Sequence, residues 1–155
     1  MPVIFSIELK GKVAIANAKI AYQKFQEITN SERWQTLAKQ GANVQRLLWA
    51  STSTKNPEYS DVMYVNELVG AQTVNTLPPA TIEACADHCD LAANRVETDV
   101  ENAYQTIESL KEPDINISYN EVMTELLEEG IDKFVQPFES LMQSLQNKVK
   151  HLSPI

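Results

Sequence analysis

"VQRLLWASTSTKNP", residues 44–57, decides how this chain folds. Its first part is short and apolar and has a turn signal at each end. That pattern suits a strand buried on both faces, as in a parallel sheet. After Ala50 the run gives way to Ser51, Thr52, Ser53, Thr54, Lys55 and Asn56 before Pro57. A surface loop needs polar residues, but rarely this many hydroxyls followed by one cation. In open α/β sheets and barrels, sites lie where loops leave the carboxyl ends of strands. Hydroxyls, backbone N–H groups and one ammonium there suit the dispersed charge of a phosphate. A helix starting near Ser60 would add its N-terminal dipole. Two rival readings are a plain solvated loop and a Schiff-base role for Lys55. The second requires a desolvated amine, and a lysine among six polar neighbours is badly placed for it.

Working outward, "KVAIANAKIAYQKFQEI", residues 12–28, has a helical period through Val13, Asn17, Ile20, Lys24, Phe25 and Ile28. A second helical piece, "SERWQTLAKQ", takes Ser31 as its cap, Trp34, Leu37 and Ala38 as its stripe, and Gly41 as its left-handed stop. Downstream, "SDVMYVNELVG" forms a short helix capped by Ser60 and stopped by Gly70, and "QTVNTL" is a second short strand. "PPATIEACADHC" opens a helix with prolines, which the first turn tolerates. This order is the grammar of an α/β sheet with crossover helices.

After residue 90 the signal is helical only. Val96, Val100, Ala103, Tyr104, Ile107 and Leu110 share one helical spacing. A short helix over "SYNEVMTELLEEG" closes at Gly130, and a long terminal helix carries Pro137, where a kink is expected. Two strands alone leave both edges of a parallel pair open, so the pattern reads as part of a larger sheet.

The 155 residues are the size of one ordinary domain, and 43% hydrophobic with 22% charged residues is a globular balance. A formal net charge of −8 disfavours nucleic acid or an anionic membrane as the main partner. No apolar run is long enough to cross a bilayer, and the start "MPVIFSIELKGK" does not read as a signal peptide, so the expected location is the cytoplasm. Cys85 and Cys89 then read as free thiols. With His88 they form a C-x-x-H-C cluster on one helix face, but structural zinc wants four ligands, so no metal is expected. The carboxylates of "ELLEEG", Glu139 and "DVENAYQTIE" have ordinary solvent-face spacing, and Trp34, Trp49 and Tyr64 read as packing residues.

With these residues in view, the chain resembles transaldolase, in its long-subunit bacterial and cyanobacterial form. The resemblance runs over roughly residues 10–155 and rests on "KVAIANAKIAYQKFQEI", "GANVQRLLWASTSTKNPEYSDVMYVNELVG", "TVNTLPPATIEACADH" and "GIDKFVQPFESLM". "RLLWASTSTKNP" followed by "TVNTLPPAT" is its most specific part. It implies a (β/α)8 barrel, with "QRLLWAS" as seventh strand and "TVNTL" as eighth. It also implies transfer of a dihydroxyacetone unit between sugar phosphates, sedoheptulose 7-phosphate and glyceraldehyde 3-phosphate, through a lysine Schiff base in the pentose phosphate pathway. Ser51 matches the family's phosphate-binding serine. Some relatives carry an arginine two residues later, where this chain has Ser53, and Lys55 then replaces that cation.

The segments that bear the Schiff-base lysine and the acid/base carboxylates have no counterpart here, and "MPVIFSIEL" does not look like a family strand carrying any of them. The expected architecture is therefore α/β: the C-terminal part of a TIM barrel, about two βα units plus terminal helices. Residues 1–90 hold the last units with the preceding helix, and 91–155 the terminal helices. Ser51, Ser53 and Lys55 form part of the phosphate pocket, and no catalytic residue, cofactor or metal is assigned. The expected partners are a sugar phosphate and the missing barrel segment or another chain. Alone, the chain is expected to be inactive. The alternative reading is a non-catalytic helical binding remnant of the barrel.

Overall fold

In the computed structural model, which describes residues 9–152, Ser31 divides the first helical stretch in two. Helix α1 is Val13–Asn30 and helix α2 is Glu32–Lys39. Ser31 is extended, with ψ 148°, and its Oγ accepts from the Trp34 N–H at 3.3 Å. It is thus the expected cap, satisfying one of the free amides of the first turn. Gly41 follows α2 with φ +92°, where a Cβ would be penalised. The stripe expected on α2 stays uncovered, with Leu37 and Ala38 exposed. The reading of "MPVIFSIE" falls outside the described residues.

Strand β1, Leu47–Trp49, pairs in parallel with strand β2, Thr73–Asn75, in the register Leu47 to Thr73, Leu48 to Val74 and Trp49 to Asn75. Helix α3, Met63–Glu67, lies on the connection between them, and helix α4, Pro79–His88, follows β2 with Pro79 in its first turn. One expectation fails here, because β1 is not buried on both faces. Leu47 and Trp49 turn toward the core cluster, while Leu48 points the other way and is 53% exposed. Alternation along a strand sends neighbours to opposite faces, and only one face of this pair is covered.

The core is built by α1. Its buried residues are Ala16, Lys19 and Tyr22, not the predicted row through Val13, Asn17, Ile20 and Lys24, and Ile28 is exposed. The small alanines let a three-residue 3-10 turn, Arg95–Glu97, and helix α5, Val100–Glu108, come close. Lys19 can be buried there because its Nζ donates to Thr98 O at 3.1 Å and lies 3.6 Å from Glu67 Oε2. Tyr22, Leu68 and Val96 form the innermost cluster, and Ile15, Ala18, Phe25, Leu47 and Trp49 pack around it. Tyr22 Oη donates to Ala71 O at 3.0 Å.

Val96 is not on the helix its spacing suggested. Its N–H donates to Val69 O at 3.0 Å, which draws it wholly into the core, and the chain breaks at Asp99, φ +56°, before α5 begins. Aspartate is among the few residues that enter the left-handed region as single residues.

The structure divides into two compact units after Ser109. In the second, helix α6 runs unbroken from Tyr119 to Leu152 over 34 residues, with Gly130 and Pro137 inside it. The expected stop at Gly130 is absent. A glycine costs a helix interior only about 1 kcal/mol, and long runs of good helix formers on both sides outweigh it. Among the described residues no helix is long and apolar enough to cross a membrane.

Candidate functional site

The hydroxyl-rich segment leaves the carboxyl end of β1 and is fastened at once to the end of β2. Thr76 N–H donates to Trp49 O at 3.0 Å, Ser51 N–H to Thr76 Oγ1 at 2.9 Å, and Thr52 N–H to Thr76 O at 3.3 Å. Thr52 Oγ1 donates to Asn75 Oδ1 at 2.7 Å, and Ser53 N–H closes a tight turn onto Ser51 O at 2.8 Å. Ser51 holds φ +53°, a left-handed conformation that a serine keeps only when its surroundings impose it. Further along, Thr54 Oγ1 donates to Ser60 O at 3.3 Å, and Asn56 Oδ1 accepts from Glu58 N–H at 3.0 Å.

These bonds correct two expectations. The N–H groups of Ser51, Thr52 and Ser53, and the Thr52 hydroxyl, are used within the protein and are not offered to an anion. Nor does α3 supply a useful dipole: it has five residues and starts at Met63, and the residue before it, Val62, makes no side-chain cap. Ser60 accepts from Val62 N–H at 3.4 Å and so shapes the approach to α3 without capping it. What the segment presents is the Ser51 and Ser53 hydroxyls and the Lys55 ammonium, which make no hydrogen bond or ion pair among the described residues. Ser51 and Lys55 are exposed and Ser53 is half-buried.

Asn75 and Thr76 escaped the sequence reading as site residues. Their signal was a pair of hydrogen-bonding side chains at the carboxyl end of the second short strand, beside the end of the first. Asp61 and His88 were also missed as partners. His88 Nε2 lies 2.9 Å from Asp61 Oδ1, and its Nδ1 lies 3.1 Å from Asp87 Oδ2. Bonding to Asp61, then to Asp87, raises the imidazole above its ordinary value, and bonding to His88 holds the Asp61 carboxyl below its own.

The Cys85, His88 and Cys89 cluster does not assemble a metal site, because His88 is turned to the two carboxylates. Among the described residues no group of three His, Cys, Asp or Glu side chains could hold a metal ion. Both cysteines are free thiols. Burial, then the Cys85 thiol beside it, pushes Cys89 up to about 11, so it is protonated at neutral pH. Glu125, Glu128, Glu129 and Glu139 are all exposed on α6, as their spacing implied. Trp34 and Tyr64 are half-buried, and Trp49 packs on the core with its Nε1 buried and unpartnered among the described residues.

Two cavities lie elsewhere in the first unit. One of about 320 Å³ is lined by Lys12, Lys19, Tyr59, Glu67 and Asp99, among others; one of about 520 Å³ is lined chiefly by Phe25, Ile28, Trp34, Val44 and Leu47. Neither takes in Ser51, Ser53 or Lys55. The candidate segment is an open strand-end loop, not a closed pocket.

Parallel strands joined through a helix, with a pinned polar loop at the carboxyl end of the first, define an α/β arrangement whose candidate site is at a strand end. The chain belongs to the transaldolase/fructose-6-phosphate aldolase family, whose profile matches residues 5–145. It is 73% identical over 147 residues to transaldolase 2 of Nostoc sp., covering 95% of this chain and 38% of that protein. It is 68% identical to transaldolase 2 of Nostoc punctiforme and 65% identical to the transaldolase of Trichodesmium erythraeum, with the same coverage. The chain thus spans 38% of the length of these curated relatives.

Proposed function

We propose that this chain supplies the phosphate-binding part of a transaldolase. In this reading β1 and β2 are neighbouring staves of a (β/α)8 barrel, and the enzyme moves a dihydroxyacetone unit between sedoheptulose 7-phosphate and glyceraldehyde 3-phosphate. The substrate phosphate is held by Ser51, Ser53 and Lys55. The observation that supports it most is the state of that loop: its backbone is fixed to β2 while those three polar side chains remain unengaged among the described residues. A fixed loop with free hydroxyls and one ammonium binds a dianion with little ordering cost.

The covalent step lies outside these residues. Schiff-base formation needs a lysine kept neutral by burial or by neighbouring cations, and Lys55 is exposed. Lys19 is buried, but its Nζ is already engaged by Thr98 O at 3.1 Å and Glu67 Oε2 at 3.6 Å and is not presented to a ligand. Borohydride reduction in the presence of a ketose phosphate tests this division of labour. No lysine within residues 1–155 should take up the sugar, and a stoichiometric adduct on Lys55 overturns the assignment. The rival reading, a non-catalytic helical binding module, draws support from the exposed apolar side chains of α6, among them Phe134 and Phe138. It requires that residues 51–55 show no preference for phosphorylated sugars.

A further inference from the structure

The loop that begins at Ser51 has a second anchor at its far end. Asp61 closes the loop, and His88 is the last residue of α4, 27 positions away in sequence, with 2.9 Å between Asp61 Oδ1 and His88 Nε2. The other ring nitrogen faces Asp87 Oδ2 at 3.1 Å. A neutral imidazole carries one N–H and one lone pair, so it can donate to only one of two carboxylates and must turn its lone pair on the other. Only the imidazolium donates to both. The end of α4 is docked on the same region by a further bond, from Asp90 N–H to Asn66 Oδ1 at 3.1 Å.

We propose that His88 is a pH-responsive positioning residue for the 51–61 loop: as an imidazolium it clamps Asp61 to the end of α4, and loss of its proton removes the charge from that contact, turns a lone pair on one of the two carboxylates and loosens that end of the loop. The charged and titratable groups around it are Asp61 on the loop, Asp87 and the Cys85 and Cys89 thiols on α4 and its end, and Asp90, itself paired with Arg95. The Cys89 thiol stays neutral in the relevant range, since it is pushed up to about 11. The groups that act on the imidazole are the Asp61 and Asp87 carboxylates.

The sign follows from these neighbours. His88 is raised in the folded protein, so its contribution is complete below its unfolded value of about 6.5 and fades as pH rises through the folded value. Asp61 is lowered, so its share is present above its unfolded value near 3.9 and is lost only in acid. The clamp is thus closed in mildly acidic solution and opens toward alkaline pH. Its consequence for ligand rests on the phosphate-loop reading: a loop fixed at both ends holds an anion better than one fixed only at β2.

Hydrogen exchange with mass spectrometry on the intact protein tests the clamp, following peptides that cover residues 51–61 at pH 6 and pH 8.5 with intrinsic rates corrected. Protection of the loop should fall as His88 loses its proton, and should be low and flat with pH in both His88→Gln and Asp61→Asn. Both groups are largely exposed, so the variants keep the fold. Protection that is unchanged across the titration, or equally pH-dependent in His88→Gln, overturns the proposal. Sulfate, a dianion at every pH used, then reports on the ligand. Its affinity should fall about fivefold between the two pH values in the wild type and stay flat in the variants. Sulfate that fails to bind while protection still tracks the proton refutes the phosphate-loop reading and leaves the clamp standing.

Discussion

Residues 9–109 and residues 110–152 are both largely helical, yet they keep their shape by different means. In the first region order comes from partners far apart in sequence: Lys19 with Thr98, Tyr22 with Ala71, Val96 with Val69, and Ser51 with Thr76. In the second, α6 is supported by bonds within four positions, such as the Lys133–Glu129 pair and Ser144 Oγ to Ser140 O at 2.9 Å. Its apolar side chains stay out, Phe134 at 84% and Leu152 at 81% exposure. Packing usually supplies most of a helix's stability. The first region therefore resists change at specific contacts, while the second responds mainly to helix propensity.

The sharpest test of this contrast is one substitution type placed in each region. A Cβ on Gly70 would run into Val96 Cγ1, and Val96 has no exposed surface into which to move. Gly70→Ala should destabilise the first region by about 3 kcal/mol, seen as a melting temperature lowered by several degrees. A melt at the wild-type temperature would show the core to be looser than described. Lys19→Ala comes next. It strips a charge-assisted bond from Thr98 O and leaves Glu67 without its cation, at a cost of about 2 kcal/mol in chemical denaturation. The smallest effect has the opposite sign. A Cβ on Gly130 meets nothing within 4 Å, so Gly130→Ala should stabilise α6 by about 1 kcal/mol, read from helical circular dichroism on heating. Two losses, or two gains, at Gly70 and Gly130 would break the comparison.

What could be read in the sequence follows the same divide. Local signals were legible: the Ser31 cap, the left-handed Gly41, Pro79 in a first turn, and both strands at their expected places. Their causes lie within a few residues. Misreadings occurred where a distant partner decided the outcome. Periodicity placed Val96 on a helix, but the bond to Val69 pulled it into a 3-10 turn. Lys19 was no candidate for burial, because nothing near it in sequence announces Thr98 and Glu67. Gly130 failed in the other direction, since a stop signal carries little weight inside a long helix-forming run. At the site, the candidate side chains Ser51, Ser53 and Lys55 stood out by composition, but the residues that fix their loop did not. Asn75, Thr76 and His88 act across strand pairing and a helix end, and only the fold brings them to the loop.

The central claim, that residues 51–55 hold the phosphate of a sugar phosphate, is tested most directly by Lys55→Ala in the intact protein. Binding of a phosphorylated sugar and of its unphosphorylated counterpart would be measured side by side. A charge-assisted contact of about 1.5–3 kcal/mol should be lost for the phosphorylated sugar alone, raising its dissociation constant about ten- to hundredfold. An unchanged preference between the two sugars would contradict the claim and mark the loop as only solvent-facing.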